Sequence, residues 1–168
     1  DESDKDTDVL VEAIVNHIYL YSDITQKSVF ELIKHIRYLN VSLLNDKNRL
    51  NLDNCYIYLH INSMGGDVFA ALSAVDTILQ SKIPIVSVVE GCAASSATII
   101  SVVAHKRQIM PHASMLIHQL SSGFWGKYLE IKDEMKNLTY LEDLTKDLYK
   151  KYSNGKLTDE KLKKFLKH

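Results

Sequence analysis

The stretch "IPIVSVVEGCAASSATIISVVA" (83–104) constrains the fold of this chain more than any other. Its first part is an apolar, β-branched run that reads as a buried strand, and its last part has the composition of a buried helix. Between them, Gly91 to Thr98 holds no bulky side chain and contains Ser95 and Ser96. Small residues at such a junction let two backbones approach, which is a sufficient packing reason. The sharper reading makes one serine a nucleophile held at the start of a helix, and the junction alone leaves both open.

The rest of the chain supplies the frame. "HIYLYSDI" (17–24) alternates and is rich in aromatic and β-branched residues, so it reads as a strand. Val29, Leu32, Ile33, Ile36 and Leu39 then recur at helical spacing, with Thr25 or Ser28 as N-cap. "LNDKNRLNLDN" reads as a polar loop, and "CYIYLHIN" (55–62) as a strand that ends at "SMGGD". Helical spacing resumes through Phe69, Leu72, Val75 and Leu79. "RQIMPHASMLIHQ" holds two short strand-like pieces around Pro111 and His112. A long amphipathic helix is expected from Tyr128 to Tyr152, carrying Leu129, Met135, Leu138, Leu141, Leu144 and Leu148, with further apolar residues Ile131 and Tyr140. A turn at Asn154-Gly155 and a last helix capped by Thr158 complete the pattern. Strand and helix alternating, with mostly apolar strands, means an α/β fold.

Composition narrows the function classes. A chain of 168 residues with 46% hydrophobic and 24% charged residues fits one ordinary globular domain. The formal net charge of -1 gives no electrostatic case for nucleic acid or an anionic membrane. Cys55 and Cys92 form neither a disulfide framework nor a metal-ligand spacing, so no metal or cofactor is expected, and they fit a reducing compartment. No apolar run reaches the length of a transmembrane helix, and "DESDKDTD" reads as a solvated acidic tail rather than a signal peptide.

In α/β sheets, sites gather where strands end and helices begin, and here such junctions carry unusual residues. Adjacent glycines in "SMGGD" leave backbone N–H groups unobstructed for an anion or oxyanion, although a Gly-Gly turn by itself is most often only a turn. The match is neither a dinucleotide-binding pattern nor a phosphate loop. Ser95 at a helix start sits in a positive field, but most serines there are N-caps. His118 follows an apolar strand in "MLIHQL" and is the histidine best placed for a general base, against a plain hydrogen-bonded role. Serine, histidine and a glycine N–H are together what acyl transfer needs.

With these residues in this order, the chain resembles the ClpP-type serine peptidases, the proteolytic subunit of the Clp protease. The family's "YLYINSPGG" appears as "YIYLHINSMGGDV", its "GQAASMGA" as "GCAASSAT", and its "MIHQP" as "LIHQL". "AVDTILQSKIPIVSVVEG" resembles the segment between the first two at matching length, and the resemblance covers about residues 17–155. It implies a ClpP/crotonase-like fold of repeated β-β-α units with a protruding handle helix. Residues 1–16 would be an acidic flexible segment and 17–168 a single peptidase domain. Its head would span about 17–118, its handle about 119–152 and its C-terminal helix 156–168.

Carried over residue by residue, the resemblance makes Ser95 the nucleophile and His118 the general base. Gly66 and Ser96 would supply the oxyanion-hole N–H groups. Gly65, Asp67, Val68, Ser121, Ser122 and Gly123 would flank an extended peptide as added strands. Unfolded polypeptides are the implied substrates and a AAA+ unfoldase the implied partner. Face-to-face heptameric rings joined by the handles are the implied assembly. The implied setting is cytoplasmic, or an organelle matrix or stroma, or a host cytoplasm for a phage-encoded member.

The chain also departs from the pattern. Met64, Ser96, Thr98 and Leu120 replace the family's proline, methionine, alanine and proline, and the "YDIYSRLL"-like run before the first strand is lacking. The family's acidic triad member would fall just after His168, since Asp133, Asp143, Asp147 and Asp159 are not at the matching place. The expectation is a chain that continues to that residue. A non-catalytic structural subunit of a mixed ring is the competing reading. A crotonase-type enolate chemistry, which needs no Ser/His pair at these sites, ranks below both.

Overall fold

The computed structural model describes residues 9–119 and 127–165. Its elements are β1 (Val11–Ile14), β2 (His17–Leu20), α1 (Gln26–Leu50), β3 (Ile57–Ser63), α2 (Val68–Leu79), β4 (Ile85–Ala94), α3 (Ser96–Val102), β5 (Lys106–Ile109), β6 (Ser114–Leu116), α4 (Tyr128–Tyr152) and α5 (Asp159–Phe165). The order runs as a β-β-α unit, two β-α units and a second β-β-α unit, followed by α5.

The strands form one sheet in the order β1-β2-β3-β4-β5, with β6 also paired to β4. Only β1 is antiparallel to its neighbour; β2, β3, β4, β5 and β6 pair in parallel. Ile18, Leu59, Ile61, Ile85 and Ile100 are completely buried in the core, each contributing about 1.5–3 kcal/mol of transfer free energy. Alternate residues of β2 and β3 turn the other way and stack their rings, His17 on Tyr58 at 4.8 Å and Tyr19 on His60 at 4.6 Å.

The structure moves several sequence boundaries. Residues 11–14, expected in the flexible N-terminal segment, form β1 and pair with β2 from Val11↔Leu20 to Ile14↔His17. The stretch 45–50, expected as loop, continues α1 to Leu50. That helix closes with Asn51 in the left-handed region (φ 51°) and Leu52 N–H on the Lys47 carbonyl at 3.1 Å. Thr25, not Ser28, is the N-cap; Ser28 stands at N3 and completes a capping box.

The largest shift is in β4, which continues through the small residues to Ala94. Its register against β3 jumps from Ile61↔Val89 to Ser63↔Ala93. At this bulge Gly91 has φ +70° and packs on Asn62, whose Oδ1 accepts the Cys92 N–H at 3.2 Å. Bulges re-aim a strand, and β4 here changes partner, from β5 at Val86–Val89 to β6 at Cys92–Ala94.

The helix α4 occupies its expected span, but it buries only Leu141, Thr145 and Tyr149. Its first turns leave Tyr128, Leu129, Ile131 and Met135 exposed, so the helix stands away from the sheet as a handle. Among the described residues no helix is long and apolar enough to cross a membrane.

Candidate active site

Three parallel strands deliver their carboxyl ends to one place: β3 leads to Gly65-Gly66, β4 to Ser95, and β6 to His118. The first two touch. Gly65 has φ +94° and lies so close to the elbow that a Cβ there would be 2.7 Å from Ser95 Cβ and 2.6 Å from the Ala94 carbonyl oxygen. Only glycine fits that approach.

Ser95 alone separates the last residue of β4 from the first of α3. Its backbone is held at φ 53°, ψ -128°, and its side chain makes no capping hydrogen bond. The N-cap reading of Ser95 therefore fails, because a capping serine has extended backbone and accepts an N–H from the first turn. A non-glycine residue in this region costs about 1–3 kcal/mol and persists only where its surroundings over-determine it. Here they do. Ser95 N–H donates to the Leu116 carbonyl of β6 at 2.9 Å, and the Ser95 carbonyl accepts Thr98 N–H at 3.0 Å.

Gly66 and Ser96 are placed side by side. Ile24 takes one edge of the glycine turn, donating to the Gly65 carbonyl and accepting from Asp67 N–H, each at 2.8 Å. That parallel bridge directs Gly66's own N–H and C=O to the opposite side, where its carbonyl accepts Ser96 Oγ–H at 3.2 Å. Ser96 is the first residue of α3, so its N–H has no partner within the helix.

His118 Nδ1 lies 2.7 Å from the Gln119 carbonyl oxygen. A carbonyl only accepts, so Nδ1 carries a proton, and in the neutral tautomer of this ring the lone pair is on Nε2. Ser95, Ser96 and His118 line one crevice together with Ile99 of α3 and with Glu142, Thr145, Lys146 and Tyr149 of α4. The motif reading did not name those helix residues. Their signal was the i, i+4 row Leu141, Thr145, Tyr149, a buried stripe that carries two hydroxyls.

The expected peptide-flanking residues divide. Gly65 donates its N–H to Ser63 Oγ at 3.2 Å and accepts the Ile24 N–H on its carbonyl, the Gly66 carbonyl accepts Ser96 Oγ–H, and Val68 opens α2 with helical backbone. Asp67 is the N-cap of that helix, accepting from Phe69 and Ala70 N–H at 2.8 and 3.1 Å and from Gln26 Nε2 at 2.9 Å. Burial pushes its carboxyl up, but these donors outweigh it and hold the group below its ordinary range. Asp67 and Val68, expected to flank a bound peptide, stand at the start of α2, Asp67 with extended backbone at the N-cap and Val68 as the first helical residue. Ser121, Ser122 and Gly123 lie outside the described residues.

Asp133, Asp143 and Asp147 of α4 and Asp159 of α5 are engaged by lysines. Lys136 pairs with Asp133 at 2.8 Å, Lys146 approaches Asp143 at 3.9 Å, and Lys150 bridges Asp147 and Asp159 at 2.9 and 3.2 Å. Among the described residues no group of three or more His, Cys, Asp or Glu side chains is placed to hold a metal ion.

A sequence-family model described as Clp protease matches residues 3–166. An ATP-dependent Clp protease proteolytic subunit from Deinococcus radiodurans is 32% identical over 108 residues, 63% of this chain and 52% of that protein. The match thus spans about half the length of the curated relative. Among solved structures, a ClpP1 mutant from Listeria monocytogenes superposes with a TM-score of 0.73 over 89% of this chain and 78% of its own, at 23% identity. The last match speaks for the fold, an α/β sheet with a protruding handle helix. With a family match over nearly its whole length, and with that fold, the chain belongs to the Clp protease family as a ClpP-type subunit.

Proposed function

We propose that this chain is a serine endopeptidase subunit that cleaves unfolded polypeptides inside a ring-shaped compartment. Ser95 Oγ attacks the scissile carbonyl while His118 Nε2 accepts its proton. The N–H groups of Gly66 and Ser96 stabilise the oxyanion that forms. Collapse of that intermediate breaks the C–N bond, and the imidazolium returns the proton to the leaving amine. Water, activated by the same histidine, then hydrolyses the acyl-enzyme. An extended peptide lies beside Gly65 and Gly66, with Ser121, Ser122 and Gly123 on its other side.

Self-association through α4 closes the compartment as stacked heptameric rings, and a AAA+ unfoldase feeds it. The setting is cytoplasmic, or an organelle matrix or stroma. The exposed apolar residues of α4 support association, because a helix that faced only its own core would not carry Tyr128, Leu129 and Met135 at 65–77% exposure.

The observation that carries the reading is the left-handed backbone of Ser95 with its uncapped hydroxyl, in the crevice that His118 also lines. A fluorophosphonate probe followed by intact mass tests it. The full-length protein should gain one adduct, and Ser95→Ala should gain none. Labelling lost in Ser96→Ala but kept in Ser95→Ala would reassign the nucleophile. No labelling of the full-length protein would place the chain as a non-catalytic subunit of a mixed ring.

A further inference from the structure

Behind Ser95, two buried hydroxyls form a chain that ends on the nucleophile's own backbone. Thr98 is completely buried, and its Oγ1–H donates to the Ser95 carbonyl at 2.5 Å. That hydroxyl has one proton, so toward the Tyr149 hydroxyl, 2.5 Å away, it can only accept. The direction of the chain is fixed: Tyr149 of α4 donates to Thr98 of α3, and Thr98 donates to Ser95. Burial pushes the Tyr149 phenol up to about 12, so the donor keeps its proton throughout the working range of a peptidase.

The consequence follows from the rigidity of the peptide group. The Ser95 C=O and the Ser96 N–H belong to one planar unit and point in opposite directions. Whatever holds the oxygen on one side aims the N–H on the other. The plane sits at a strained junction (φ 53°, ψ -128°), where the favoured backbone conformations of serine lie elsewhere.

We propose that Tyr149 and Thr98 are positioning residues that aim the Ser96 N–H at the developing oxyanion, so that the seating of α4 sets the strength of the oxyanion hole. The inference rests on Ser95 being the nucleophile. It differs from a packing contact between α3 and α4 in what it affects. A packing contact stabilises the fold, whereas an aimed donor acts on the transition state.

The test uses the assembled full-length protein and the variants Thr98→Val, Thr98→Ser, Tyr149→Phe and Thr98→Val/Tyr149→Phe. Peptide hydrolysis, the rate of fluorophosphonate labelling and the urea midpoint are measured, with rates referred to the folded fraction. Thr98→Val and Tyr149→Phe should each lower kcat by between about tenfold and about a hundredfold while KM stays within about twofold. Thr98→Ser, which keeps the hydroxyl, should restore kcat. The double variant should be no slower than the slower single variant, because both remove one device. Silent kcat with a lowered urea midpoint, or effects that multiply, would overturn the inference. If Ser95 labels normally and the variants are silent, only this inference falls; if Ser95 never labels, the nucleophile reading falls with it.

Discussion

At Gly65 a methyl group would stand 2.7 Å from Ser95 Cβ on a backbone at φ +94°. Gly65→Ala should therefore combine positive-φ strain of about 1–3 kcal/mol with overpacking of about 1–3 kcal/mol. Urea unfolding should show a loss above about 2 kcal/mol, and phosphonate labelling should drop with it. Gly155→Ala is the control: it has a similar φ of +73° with nothing within 4 Å, and should lose only about 1 kcal/mol. An equal loss at both glycines would mean that contact with Ser95 is not the constraint. Gly65, Gly66, Ser95 and His118 were legible because short motifs fix their spacing, and chemistry limits what those residue types do. The positive φ of Ser95 was not legible, since serine favours negative φ and only the crowding from Gly65, Leu116 and Thr98 overrides it. Nor were Tyr149 and Thr98 legible as a pair, because 51 residues separate them and a buried Tyr in a helix stripe reads as core.

Elements were easiest to read where apolar periodicity was strong. α4 came out over its full span, and β3 within two residues of it. β1 was missed because four residues of mixed burial at a sheet edge carry almost no pattern. The end of α1 was missed because its last turns rest on exposed helix formers and an Asn51 cap rather than on an apolar stripe. β4 outran its expected end because small residues read as loop, while the sheet used them to let β6 and the glycine turn approach. The exposed apolar start of α4 yields a prediction at this scale. Leu129→Lys with Met135→Lys should leave monomer stability within about 0.5 kcal/mol, since both side chains are exposed. It should lower the assembled mass seen by light scattering, and peptidase activity with it. An unchanged mass would remove α4 from the association surface.

For the molecule as a whole, a histidine in β2 and another just before β5 set an acid limit. His17 is held below its ordinary value of 6.5 by burial and by His60, against an opposing pull from Glu90. His105 is held low by burial, and its Nδ1 accepts the Ile85 N–H at 3.1 Å, which requires the neutral ring. A folded-state pKa below the unfolded one means that the unfolded chain binds the extra proton more readily. The stabilisation is therefore complete above 6.5 and is lost as pH falls below it. The urea midpoint should decline from about pH 7.5 to about pH 5.5, and His17→Gln/His105→Gln should flatten that decline. An equally steep decline in the double variant would assign the acid limit to carboxylates. The α/β class was readable from alternation alone. The pairing of β4 with two strands in succession was not, because it depends on the Gly91–Asn62 bulge, a contact between distant residues.

A single residue joins β4 to α3, and that has a consequence for how the gene can vary. Substitutions near the elbow change size, and neighbouring side chains can yield by small shifts. An inserted or deleted residue instead turns everything in α3 by about 100°, carrying Thr98 away from Tyr149 and Ser96 away from Gly66. Indels should accumulate in the loops of this molecule and be purged between Gly91 and Thr98, even where the new residue is alanine. For this junction length is the inherited quantity, more than the identity of most side chains that fill it.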